Sequence, residues 1–146
     1  MLELADVTEA RDRVTETARV TPLEYSNTFS TWSGADVHLK LENFQRTGAF
    51  KIRGATNRIA QLTDEERERG VVTASAGNHA QGVALAATRA GVDATIVMPE
   101  FAPIAKVKAT RSYGVDVGAV LLALDLVGAL GGGVVVDAVE HHVAAV

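Results

Sequence analysis

The chain has 146 residues, 47% of them apolar and 22% charged, enough for one domain with a packed core and too apolar for a disordered segment. Fourteen basic against eighteen acidic side chains leave a net charge of −4, which offers no field for nucleic acid or anionic lipid. With no cysteine there is no disulfide, zinc–thiolate centre or thiol nucleophile; the opening MLELADVTEARDR lacks the basic and apolar regions of a secretion signal, so a cytoplasmic location is the expectation.

Residues 6 to 19 read as a first helix, with Asp6 and Glu9 as its capping box. Val7, Ala10, Val14 and Ala18 follow as one apolar stripe, and Thr21-Pro22 stops it. VHLKL (37–41) alternates like a half-buried strand. IRGATNRIAQL, after Lys51, is helical, and Thr63 with Glu66 caps a short acidic helix through EERERG. VVTAS (71–75) is a β-branched run that predicts a buried strand. In NHAQGVALAATRAG, Ala80, Val83, Ala84 and Ala87 mark one face of a helix closed by Gly91. ATIVM (94–98) predicts a second buried strand. Pro103 suits the first position of another helix, which Gly114 ends before Val115-Asp116-Val117.

Strand and helix alternate at short intervals, which predicts βαβ units and a parallel sheet with flanking helices, an α/β fold. Right-handed crossovers would set loops such as SAGN at the carboxyl ends of strands, where open α/β sheets bind ligands. Positions 118 to 136 hold one charge, Asp125, over a length that could cross a bilayer; that charge and the Gly131–Gly133 triplet argue instead for a helix, a glycine turn and a strand.

Lys51 is one of four lysines, and it stands in TGAFKIRGA between Phe50 and Ile52. An amine is a nucleophile only when unprotonated, a state favoured by apolar burial, by positive charge such as Arg53, or by a helix N-terminus. Such a lysine can form a Schiff base with a carbonyl compound. The same residues equally suit a lysine whose stem packs on Phe50 while its head reaches water. In SAGNHAQG (75–82) a strand runs into Ser75-Ala76-Gly77, and Asn78 is a natural N-cap. Free N–H groups at that helix start suit a carboxylate or phosphate, although an ordinary strand–loop–helix joint has the same look. His79 could reach a ligand or pack. His141 and His142 point to different helix faces and make a poor metal pair, so no metal site is expected. Gly131–Gly133 matches no phosphate-loop pattern.

Taken together, RVTPLEYS (19–26), LKLENFQRTGAFKIRGA (39–55), EERERGVVTASAGNHAQGVALAA and IVMPEFAPIAKVKATRSYG closely resemble threonine dehydratase. That is the threonine/serine ammonia-lyase branch of the fold-type II (tryptophan synthase β-like) pyridoxal-phosphate enzymes. The resemblance is nearly continuous from Val20 to Val117, with Ala49 where many relatives have serine. It implies residues 1–44 as part of a larger domain, 45–117 as a smaller βαβ domain bearing Lys51 and the SAGNH loop, and 118–146 as an apolar tail outside the resemblance. It implies that Lys51 holds pyridoxal 5'-phosphate covalently, that Phe50 packs on its ring, and that Asn78 bonds the ring hydroxyl. Ser75, Gly77, Asn78 and His79 would grip the carboxylate of an amino-acid substrate. The implied reaction is β-elimination from threonine or serine to a 2-oxo acid and ammonia, within isoleucine biosynthesis, by a homo-oligomer.

Relatives are more than twice as long, with a glycine-rich phosphate loop and a polar partner for the pyridine nitrogen further downstream. Gly131–Gly133 lies too close to Lys51 to be that loop. The expectation is therefore an incomplete fold with weak cofactor binding. Its rivals are serine racemase or a related lyase of the same fold, and an inactive interaction module.

Overall fold

A computed structural model describes residues 1–120 and 134–135 of the chain. Helix α1 (Leu4–Val14) begins two residues earlier than its sequence pattern suggests. The box is set by Glu3, whose N–H donates to the Asp6 carboxylate at 2.8 Å, so Asp6 is the reaching residue and not the cap. Ala10 and Val14 are buried, and the chain turns after Val14 to bury Ala18 as well.

Strand β1 (Leu23–Tyr25) pairs antiparallel with β2 (His38–Lys40), Glu24 opposite Leu39. Between them lies α2 (Asn27–Ser33), capped by Ser26 Oγ, which accepts from Phe29 N at 3.3 Å, and closed by Gly34 at φ 71°. The expected strand at 37–41 is present but shorter, and it is not half-buried: His38 and Leu39 are exposed. Alternation there reflects no buried face. Tyr25, Phe29 and Trp32 are exposed as well, with Phe29 and Trp32 packed edge to face at 5.5 Å.

A short 3-10 turn (Glu42–Phe44) leads into α3 (Lys51–Ala60), followed by α4 (Asp64–Arg69). The Thr63–Glu66 box forms as the spacing predicts, with Thr63 N donating to Glu66 at 2.9 Å and Glu66 N to Thr63 at 3.2 Å. Then come β3 (Val71–Ala74), α5 (Asn78–Ala90), β4 (Ala94–Pro99), α6 (Ile104–Arg111), β5 (Asp116–Val120) and β6 (Val134–Val135). Pro103 is the residue before α6 and not its first member.

The four strands form one parallel sheet in the order β5-β4-β3-β6. Thr73 stands opposite Ile96, and Val71 opposite both Ala94 and Val134. The strand expected near the end of the apolar tail is β6; the helix and glycine turn expected before it lie outside the described residues. No helix among the described residues is long and apolar enough to cross a membrane.

Helix α3 lies along α5, and α1 packs on α3. Ile52, Ile59, Val71, Val83 and Ile96 are the largest apolar side chains sealed from solvent in this core. The Ala80, Val83, Ala84, Ala87 stripe is buried throughout, because small residues let α5 approach α3 and the sheet closely. Ile52→Ala removes a fully buried side chain adjacent to Lys51 and is expected to lower stability by about 2–5 kcal/mol, read from urea unfolding at constant slope.

Candidate active site

Lys51 is the first residue of α3, immediately after Phe50, which caps the helix with no side-chain hydrogen bond. It is half-buried, and its Nζ lies 5.4 Å from the centroid of the Phe50 ring. The surroundings differ from the sequence expectation in two ways. Phe50 is 46% exposed and shelters only one side of the amine, while Ile52 turns into the core. Arg53 does not lend its charge to Lys51 but is bound to Glu42: Nη2 to Oε1 at 2.8 Å and Nε to Oε2 at 3.0 Å.

Glu42 collects further donors. Thr21 Oγ1 donates to its Oε1 at 2.5 Å, and Gln45 Nε2 lies 3.4 Å from its Oε2. The Arg53 hydrogen bonds, chiefly, hold the Glu42 carboxyl down to about 2, against the opposing pull of burial. Gln45, itself buried, accepts from Arg19 N at 2.8 Å and donates to Arg19 O at 2.9 Å. These residues form a polar knot under the segment that leads to Lys51. Sequence reasoning missed it because Glu42 and Arg53 stand eleven residues apart in different elements, with an irregular stretch between them.

The backbone of Lys51 also abuts α5. A Cβ at Gly82 would stand 3.0 Å from the Lys51 carbonyl carbon and 3.1 Å from Ile52 N, so a side chain there would push the Lys51 backbone away by a few tenths of an ångström. Asn78 lies four residues before Gly82 and therefore on the same face of α5, one turn nearer its start. That start is the loop after β3, where Ser75 N still bonds Val97 O at 3.0 Å and Ser75 Oγ accepts from Gly77 N at 3.2 Å. Gly77, not Asn78, is the N-cap; Asn78 is the first helical residue, and no side chain caps the helix. Asn78 is exposed, while Ser75, Gly77 and His79 are half-buried. The loop follows β3, the strand flanked by β4 on one side and β6 on the other, where the strand order reverses. Open α/β sheets bind ligands at such points.

The structure thus joins the two stretches singled out in the sequence, TGAFKIRGA and SAGNHAQG, through the contact of Lys51 with Gly82, the last residue of the second. An amine against a phenyl ring suits an aldehyde cofactor with an aromatic ring, and the uncapped, donor-rich start of α5 suits an anionic group. Among the described residues there is no group of three or more side chains suited to a metal ion.

A family model described as pyridoxal-phosphate dependent enzyme matches residues 14–145. The chain belongs to that family. The match runs past Val117, where no likeness is legible in the sequence, and includes β6. L-threonine ammonia-lyase of Thermotoga maritima is 54% identical over 117 residues, which is 80% of this chain and 29% of that protein. Serine racemase from Dictyostelium discoideum superposes with TM-score 0.85 at 34% identity, over 93% of this chain and 47% of that one. The processed form of threonine deaminase isoform 2 from Solanum lycopersicum gives 0.75 at 36%, over 92% and 40%. The chain therefore spans about a third of the length of the curated relatives it matches. The fold is the incomplete fold-type II arrangement that the sequence implies.

Two outcomes follow from this geometry. Glu42 is depressed in the folded chain from its ordinary 4.5 to about 2, so its contribution is full above pH 4.5 and is lost as the pH falls towards 2. Urea unfolding at pH 6 and pH 3 should differ by a share of about 2 kcal/mol that Glu42→Gln removes. Gly82→Ala should separate α5 from α3 and destabilise the chain by about 1–3 kcal/mol, measured by thermal melting.

Proposed function

We propose that this chain carries the lysine end of an ammonia-lyase site that deaminates threonine and serine by β-elimination, giving a 2-oxo acid and ammonia. The observation that carries the reading is the seating of Lys51 at the head of α3, against the helix whose uncapped start follows the SAGN loop. The identity to a relative named L-threonine ammonia-lyase supports the substrate and the reaction.

Lys51 would hold pyridoxal phosphate covalently, Phe50 would lie against the ring, and Asn78 would bond the ring hydroxyl. When bound, that group supplies an electron sink for a carbanion at the substrate Cα. The chain's own residues do the rest. Ser75, Gly77, Asn78 and His79 grip the substrate carboxylate, using the backbone donors at the start of α5 and the dipole of a 13-residue helix. That grip fixes the Cα–H bond relative to Nζ of Lys51, and the free amine takes the α-proton. The β-hydroxyl leaves with a proton as water, and the resulting enamine takes up water to give the 2-oxo acid and ammonia.

The reading assigns residues 1–44 to a larger domain and 45–117 to a smaller one. It goes with a cytoplasmic homo-oligomer serving isoleucine biosynthesis. Because the chain spans about a third of its relatives' length, weak cofactor binding and little turnover are expected of these 146 residues alone. Amino-acid racemisation is a second reading, favoured by the TM-scores of 0.82 and 0.85 to two serine racemases. Chiral product analysis with L-serine separates the two.

Adding pyridoxal phosphate should produce the visible absorption band of the lysine-bound cofactor, and Lys51→Ala should abolish it. A band of equal strength in that variant overturns the assignment of Lys51.

A further inference from the structure

The loop that delivers Lys51 is fastened from below by a polar cluster remote from the SAGN loop. Its centre is the side-on ion pair of Arg53 with Glu42, whose side chains are only 11% and 14% exposed. Arg53 sits two residues into α3, in the same first turn as Lys51. Glu42 opens the 3-10 turn, nine residues before Lys51. The pair therefore closes the intervening chain, residues 43 to 52, into a loop cross-linked at its base. The loop contains Gly48 at φ 70°, a conformation that leaves the path to Lys51 dependent on its anchors.

Every other anchor of this loop reaches the same neighbouring segment. Arg53 Nη2 donates to Arg19 O at 3.2 Å, and Gln45 bonds Arg19 through both its N–H and its carbonyl. Arg46 Nε donates to Thr17 O at 2.8 Å, and Thr21 Oγ1 donates to Glu42. Thr21 O in turn accepts from Lys40 Nζ at 2.7 Å. The helix start has no side-chain cap of its own, so its placement falls to this cluster below and to Gly82 above.

We infer that Arg53 and Glu42 are positioning residues, a clamp that sets the height and direction of the Lys51 amine for reaction with an aldehyde. This deepens the proposed function and rests on Lys51 being the residue that captures the cofactor. Each clamp residue acts through the first turn of α3. The fork matters as well as the charge. Lysine at position 53 would keep a cation beside Glu42 but could not bridge both carboxylate oxygens in a fixed plane.

The test is regioselective trapping in the full 146-residue chain. Pyridoxal phosphate is added, reduced with borohydride, and the label on Lys40, Lys51, Lys106 and Lys108 is counted by peptide mass spectrometry. The wild-type chain should label Lys51 first. In Arg53→Lys and Glu42→Gln, at a temperature where circular dichroism matches wild type, the Lys51 share should fall by roughly tenfold, since an ångström of misplacement costs up to about a hundredfold. A purely structural role would lower the melting temperature without changing which lysine reacts. Should Glu42→Gln fail to fold, the milder Arg53→Lys decides. Unchanged Lys51 labelling in Arg53→Lys overturns the clamp and leaves the function standing. Preferential labelling of another lysine in the wild-type chain overturns both.

Discussion

The contact between Gly82 and the backbone of Lys51 is the constraint around which the molecule is arranged. Two helices approach at a point where a methyl group would stand 3.0 Å from a carbonyl carbon. Such closeness requires small residues at the contact, and α5 follows Gly82 with Ala86 one turn on along the same face. It also requires that α5 be held rigidly, which β3 and β4 achieve by pairing in parallel at its base. The sheet fixes α5, α5 fixes the peptide of Lys51, and the first turn of α3 follows.

A helix can still slide or tilt about one contact. The Arg53–Glu42 pair restrains that freedom at the first turn of α3. Shielded ion pairs are weak evidence for net stability, because desolvation offsets much of their attraction. Their consequence is geometric: a bidentate fork fixes distance, plane and direction together. A residue pair of this kind in the same turn as a reactive amine is therefore better understood by where it puts that amine than by how much it stabilises the chain.

What the sequence makes legible is what short-range spacing governs. The Thr63–Glu66 box, the α5 stripe and the ends of the parallel strands depend on neighbours within a turn or on burial of both sheet faces. Lys51 and the SAGNH loop stand out for the same local reasons. The first fifty residues are less legible. β1 and α2 expose their apolar side chains, so no buried face imprints a period on them. The cap of α5 slips by one residue because both Gly77 and Asn78 suit a helix boundary, and only the extended φ of Gly77 at −125° marks it as the cap. Arg53 misleads most. Beside Lys51 in the sequence it reads as a charge acting on the amine, whereas folding gives its charge to Glu42.

That reassignment changes the physical account of the lysine. Phe50 is nearly half exposed, so Lys51 is not sealed in an apolar pocket, and the nearest cation in sequence is neutralised by its own partner. Burial and like-charge repulsion, two of the three arguments that the sequence offers for a reactive amine, therefore lose their ground. Position remains. Lys51 opens α3, and its backbone abuts α5 at Gly82, one turn beyond the start of that helix, where free N–H groups suit an anion. The two helix starts are held together by the close approach at Gly82 and by the Arg53–Glu42 ion pair. If Lys51 captures the cofactor as proposed, the arrangement of two helix ends would set it apart from the three other lysines, and a chain that preserved the TGAFKIRGA stretch but lost either anchor would keep the residue without its placement.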